Sequence, residues 1–188
     1  MRRALTREET IAAIERRSGA NVPVYMAKWW GDGLRAQYGA ALDELERAFP
    51  EDFAAGWYVE PGYDKSPNGN PEYRMGFLDY TGAQTHSIGR AVTLLPDWDQ
   101  LDEFLDHFPD PNEPGNFAPA IKAAEGADGR YKLGGWWRLF HERFWGIRGM
   151  ENLMMDYYDN MEGLKRIGEK LLEYYRVIVD RYADLGYD

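Results

Sequence analysis

Tyr131-Lys-Leu-Gly-Gly-Trp-Trp137 is a run with the length and composition of a buried strand, and it passes almost directly into helical sequence. Two helical stretches follow, about Leu139 to Tyr158 and Met161 to Leu185. In the second, Leu164, Ile167, Leu171, Tyr174, Ile178, Tyr182 and Leu185 recur at steps of three and four, the spacing of one apolar helix face. Upstream, Phe53-Ala-Ala-Gly-Trp-Tyr-Val59 has the same strand character. Val22-Pro-Val-Tyr-Met26 supplies a third such run, the first in chain order, in which Pro23 must sit where no backbone N–H is needed.

Helical sequence separates these runs. Thr6 and Glu9 have capping-box spacing, Ile11 and Ile14 give a stripe, and Gly19 gives a stop. Leu42, Leu45 and Phe49 belong to a helix that ends before Pro50. Asp97 is placed to cap a helix carrying Trp98, Leu101, Phe104, Leu105 and Phe108, and Asn116 to cap a short one through Ala124. Between the second strand and Asp97 lie a Pro/Gly/Asn-rich loop, residues 61–70, and a hairpin excursion from Tyr73 to Leu95.

Strands alternating with helices predict an α/β fold with a parallel sheet of about three strands, in one domain over residues 1–188. An amphipathic crossover helix normally delivers a further strand. None follows Leu185, so the expectation is an incomplete sheet from a truncated chain.

Composition narrows the function. A formal net charge of −10 argues against a nucleic-acid-binding role, which needs clustered Lys and Arg. With no Cys, the chain offers neither disulfides nor thiolate ligands. No apolar run is long enough to span a bilayer, and Met1-Arg2-Arg3 leads into a polar helix, so a cytoplasmic protein is expected. Seven Trp, thirteen Tyr and eight Phe predict large buried contacts or a site for a flat ligand.

Three segments resemble the uroporphyrinogen decarboxylase superfamily, and most closely its methyltransferase-like branch. They are Asn21-Val-Pro-Val-Tyr25, Leu95-Pro-Asp-Trp-Asp-Gln-Leu-Asp-Glu-Phe104 and Leu139-Phe-His-Glu-Arg-Phe-Trp-Gly-Ile-Arg-Gly-Met-Glu-Asn-Leu-Met-Met-Asp156. The Arg148 to Asp156 part is the most specific of them. The resemblance runs from about Ala12 to Asp188 and implies the N-terminal portion of a (β/α)₈ TIM barrel, whose members are roughly twice this length. It also implies corrinoid-linked methyl transfer or demethylation, with a corrinoid protein or a tetrapyrrole-like substrate as partner and an oligomer as one possible state. Any zinc would be held by the absent C-terminal half, with no cofactor or metal ligand in residues 1–188. The alternatives are a uroporphyrinogen decarboxylase of porphyrin biosynthesis and, from another class, a non-catalytic binding module or inactive fragment.

In such a barrel the site forms at the C-terminal ends of the strands. That rule selects Lys28, Trp29, Trp30 and Asp32 after the first strand, Tyr58, Glu60, Tyr63 and Asp64 after the second, and Trp136, Trp137, Arg138, His141 and Glu142 after the third. Glu60 and Arg138 are the candidate catalytic residues. Lys28, Trp29, Tyr58 and Trp136 are the candidate substrate-binding ones. Each has a plainer reading: Glu60 as a solvated carboxylate, Lys28 snorkelling past aromatics, Arg138 in a structural ion pair, and one Trp of the 136–137 pair facing the helix layer. His141 and Glu142, adjacent on a helix, point apart and do not make a metal pair. Met150, Met154 and Met155 are expected to fill core.

The resemblance also marks departures from the decarboxylases proper. Those carry paired arginines after the first strand, where this chain has Lys28, and a Ser-Asp pair after the second, where it has Tyr58-Val59 followed by Glu60. Lysine lacks the two-pronged guanidinium that holds a carboxylate, so methyl transfer is favoured over decarboxylation.

Overall fold

The structure, a computed structural model, describes residues 2–17, 19–25, 32–59, 93–113, 115–136 and 139–188. The expected hairpin between Tyr73 and Leu95 lies outside them except for its last three residues. The elements run α1 (Arg7–Ile14), α2 (Asp32–Ala48), β1 (Phe53–Trp57), a 3₁₀ turn (Trp98–Gln100), α3 (Leu101–Asp106), α4 (Ala118–Glu125), β2 (Tyr131–Gly135), α5 (Phe140–Arg148), α6 (Met150–Asp159) and α7 (Met161–Asp184). The fold is mixed α/β, mostly helical, with a two-stranded parallel sheet among the described residues. The chain forms two compact units.

The first unit comprises Met1–Trp57, Ala120–Gly135 and Ala183–Asp188. Its sheet pairs β1 with β2 in parallel, from Phe53 opposite Tyr131 to Trp57 opposite Gly135. The capping box forms as its spacing predicts: the Glu9 amide donates to the Thr6 hydroxyl, and the Thr6 amide donates to the Glu9 carboxylate at 2.8 Å. Arg3 forks onto the same carboxylate at 2.5 and 2.7 Å. Arg3 and the Thr6 amide together hold Glu9 down at about 2.

The described part of the expected first strand, residues 22–25, is not a strand. Residues 21–25 lie beside β1 without ladder pairing. The Val24 carbonyl accepts from the Asp52 amide at 3.2 Å, while the Val24 amide donates to the Asp52 carboxylate at 2.6 Å. A side chain thus takes the place of a strand's backbone partner, next to Pro23, which has no N–H to offer. Asp52 is fully buried and also accepts the Leu5 amide at 2.8 Å and the Arg2 guanidinium. Burial pushes its carboxyl up, but the Val24 and Leu5 amides and Arg2 outweigh that and hold it below the usual range.

The second unit comprises Tyr58–Pro119 and Trp136–Tyr182. The predicted stripe of α7 forms its core: Leu164, Ile167, Leu171, Tyr174, Ile178 and Tyr182 are all buried, with Leu95, Ile147 and Leu153. Burying each such aliphatic side chain contributes about 1.5–3 kcal/mol. Asp97 caps the 3₁₀ turn that leads into α3, accepting from the Asp99 amide at 3.1 Å.

Three expectations fail here for local reasons. The stretch from Leu139 to Tyr158 is two helices, broken at Gly149, whose φ of 78° and ψ of 151° suit glycine alone. Asn116 is buried and does not cap α4, because its side-chain amide turns to Tyr58 instead. Met150, Met154 and Met155 are exposed, because α6 buries Leu153 and Asp156 instead.

That burial of Asp156 explains the Arg148 to Asp156 motif. Across the break at Gly149, Arg148 Nε donates to Asp156 Oδ2 at 2.6 Å, and both side chains are about 5 % exposed. Trp98 Nε1 donates to Asp156 Oδ1 at 2.8 Å, and the Arg148 guanidinium lies 4.2 Å over the Trp98 ring. Arg148 also donates to the carbonyls of Leu95 and Pro96. Trp98 and Leu95 therefore join the Leu139 to Asp156 segment around one buried, hydrogen-bonded ion pair.

Candidate functional site

Of the six candidate site residues, Lys28, Trp29, Glu60 and Arg138 lie outside the described residues, as do Trp30, Tyr63, Asp64 and Trp137. Tyr58 and Trp136 are described, each the first residue after a strand, and both pack on α7.

Tyr58 is buried, and its hydroxyl is fully used. It donates to the Pro111 carbonyl at 3.3 Å and accepts from Asn116 Nδ2 at 2.9 Å, while the Tyr174 hydroxyl supplies its second accepted bond. One proton and two lone pairs are all that a phenol has. Phe117 meets the Tyr58 ring edge-on at 5.0 Å. Tyr58 is therefore an interior anchor.

Trp136 is half-buried. It stacks on Tyr175 at 5.6 Å and 29° and on Tyr182 at 6.3 Å and 15°. Tyr174 and Tyr175, adjacent in sequence, serve the two aromatics separately: the first bonds Tyr58, and the second stacks on Trp136. The result is a stack of near-parallel rings in which Tyr175 and Tyr182 are buried and Trp136 is half-buried.

Two buried polar atoms, Asn116 Oδ1 beside Tyr58 and Trp136 Nε1 in the ring stack, have no hydrogen-bond partner. One is an acceptor and the other a donor. Leaving such atoms unsatisfied typically costs about 1–3 kcal/mol each. Asn116 is the residue that sequence reasoning missed. Its position between Gly115 and Phe117 resembles a helix start, and only the long-range packing of Tyr58 reveals its other use.

The remaining candidates have ordinary surroundings. His141 stacks on Tyr157, its Nδ1 3.1 Å from the hydroxyl, and Glu142 is exposed. His107 Nδ1 bonds the Glu103 carbonyl at 2.9 Å at the end of α3. Among the described residues no group of three or more His, Asp or Glu side chains is disposed to hold a metal ion. Nor is any helix among them long and apolar enough to cross a membrane. In comparisons with known proteins, the chain matches no family model, no curated protein and no solved structure.

Proposed function

We propose that the chain is part of a cytoplasmic (β/α)₈-barrel enzyme of the uroporphyrinogen decarboxylase type that handles a tetrapyrrole-like macrocycle, in methyl transfer linked to a corrinoid protein. In this reading β1 and β2 are neighbouring barrel strands, and residues 21–25 are a degenerate strand before them. The parallel register of β1 on β2 and the hydrogen bond between Asp52 and Val24 are consistent with that order.

The observation that carries the reading is the half-buried Trp136, stacked on the buried Tyr175 and Tyr182, with a buried and unpartnered indole N–H. A macrocycle would stack against the half-buried Trp136, and a side-chain shift that uncovers Nε1 would let a carbonyl or carboxylate on its rim accept from it. Lys28 would meet a peripheral carboxylate, and Glu60 and Arg138 would handle protons and charge beside the ring. The chain has no Cys to supply thiolate ligands, and no group of three or more His, Asp or Glu among the described residues is disposed to hold a metal ion. No step of the proposal runs through a metal.

Absorbance titration of the protein with hydroxocobalamin and with uroporphyrin, repeated on Trp136→Ala, tests this. The proposal expects saturable corrinoid binding that Trp136→Ala weakens about tenfold, the loss of one aromatic anchor. Preference for the octacarboxylate uroporphyrin, with carbon dioxide released from uroporphyrinogen, would instead establish the decarboxylase. Binding of neither would leave a non-catalytic module.

A further inference from the structure

Helix α2 turns most of its length to solvent: of residues 33–48 only Leu42 is buried. Yet it carries an apolar stripe. Leu34, Tyr38, Leu42, Leu45 and Phe49 follow one another at steps of three and four, the spacing of one helix face. The Phe49 amide extends the helical ladder by donating to the Leu45 carbonyl at 2.9 Å. Leu34 is 42 % exposed, Tyr38 48 %, Leu45 39 % and Phe49 53 %. Apolar residues exposed singly are normal, whereas four in line along one face mark an interaction surface.

The order of the stripe chooses its occupant, because it reads alike in both directions. Two large apolar residues four apart lie on either side of a centre between Ala41 and Leu42. Laid antiparallel about that centre on a second copy, Leu34 meets the second copy's Phe49 and Tyr38 meets its Leu45, each contact occurring twice by symmetry. Ala41, small and exposed on the same face, stands where the two helices come closest.

Charge fixes the direction. Arg35 and Glu46 are eleven residues apart, about three turns, and so share one flank of the stripe. Along its own helix Arg35 donates to Glu46 at 2.8 Å and to Asp43 at 2.5 Å. In the antiparallel register each Arg35 comes within one turn of the level of the second copy's Glu46. Parallel pairing would set Arg35 against Arg35 and Glu46 against Glu46. A chain carrying −10 resists self-association in general, so two copies join only where opposite charges face each other.

We propose that the chain forms a two-fold symmetric dimer in which α2 pairs antiparallel with α2 of a second copy. One helix pair is at the low end of interface sizes, so the dimer is weak and separates on dilution. The inference rests on α2 alone and does not depend on the macrocycle reading.

Sedimentation velocity over a concentration series tests it, and a monomer–dimer exchange is expected. Because the chain has no Cys, introduced thiols report the register without background. A mixture of Leu34→Cys and Phe49→Cys under mild oxidation should give a disulfide-linked dimer with one copy of each, identified by mass. Leu34→Cys alone should not, since this register holds its two thiols roughly 22 Å apart along the axis, beyond the roughly 7 Å Cα–Cα reach of a disulfide. Tyr38→Gln/Leu45→Gln changes exposed side chains, and far-UV circular dichroism checks that it folds. It should weaken the dimer about tenfold or more, as for loss of central apolar anchors. Arg35→Glu should weaken it less, and Arg35→Glu/Glu46→Arg should restore it. A monomer at every concentration overturns the proposal, as does a dimer that Tyr38→Gln/Leu45→Gln leaves intact. Cross-linking of Leu34→Cys to itself overturns the antiparallel register.

Discussion

The Tyr187 hydroxyl occupies the place where a side chain on Gly56 would begin. A Cβ built on Gly56 would overlap that hydroxyl and come within 2.8 Å of the Ala120 Cα. Tyr187 is fixed there by donating to the Ala120 carbonyl at 2.7 Å, and its burial raises the phenol's pKa. Strand β1 therefore has glycine at its fourth residue because two other segments of the chain close over it. Gly56→Ala should destabilise by about 1–3 kcal/mol, the usual cost of overpacking. Tyr187→Phe should cost about 1 kcal/mol for the lost hydrogen bond. The double variant should be more stable than the sum of the two losses, since removing the hydroxyl relieves the closest of the overlaps that the methyl group meets. Urea melts of the three variants measure this cycle.

Asp52 predicts how the first unit responds to acid. Its carboxyl is held below the ordinary range in the folded chain by the Val24 and Leu5 amides and Arg2, against the opposing effect of burial. A depressed folded-state pKa contributes stability that is fully present above the unfolded value of about 4. That contribution disappears as pH falls through the folded-state value. Asp52→Asn should therefore cost about 1–3 kcal/mol at neutral pH, and the gap from wild type should narrow on acidification. Thermal melts across the acid limb measure it; a gap independent of pH would refute the assignment.

The Arg148–Asp156 pair should behave as a buried ion pair. Removing one partner leaves a charge without water or counterion, so Asp156→Ala should destabilise by about 3–5 kcal/mol. Near-UV circular dichroism should change with it, because Asp156 also fixes the Trp98 indole. Asp156→Asn, which keeps an acceptor for Trp98, should retain more of that signal while still losing stability.

Gly149 sets the angle at which the pair meets. At φ 78° and ψ 151° a side chain is strained, and a Cβ would also lie 2.9 Å from the Thr93 hydroxyl. Gly149→Ala should cost about 1–3 kcal/mol. It should be non-additive with Asp156→Ala, since both disturb the same junction.

These junctions also explain what the sequence does and does not disclose. Local signals survive intact: the Thr6–Glu9 box, the stripe of α7, and the runs that contain β1 and β2. Features set by distant partners do not. Residues 22–25 have strand composition, yet Asp52 takes the ladder's place. Asn116 has the look of a cap, yet it turns to Tyr58, which stands nearly sixty residues earlier in the chain. The α6 methionines read as core, because an apolar stripe does not say which of two faces will meet the protein once Asp156 is claimed by Arg148. Of the candidate site, Tyr58 and Trp136 were legible as the residues that follow strands, whereas their shared support on α7 depends on packing alone.

The pairing of β1 with β2 has a kinetic consequence. Phe53 meets Tyr131 only after a loop of about eighty residues has closed, an entropic toll that precedes any ladder hydrogen bond. Helices α5 and α6 adjoin in sequence at Gly149 and pack on each other, so they should consolidate first. Pulse-labelled amides of α6 should then gain protection early, and those of Ala54 to Trp57 late. During that interval two short, glycine-containing strands wait unpaired, so the slowest step in reaching the native chain is the meeting of its sheet.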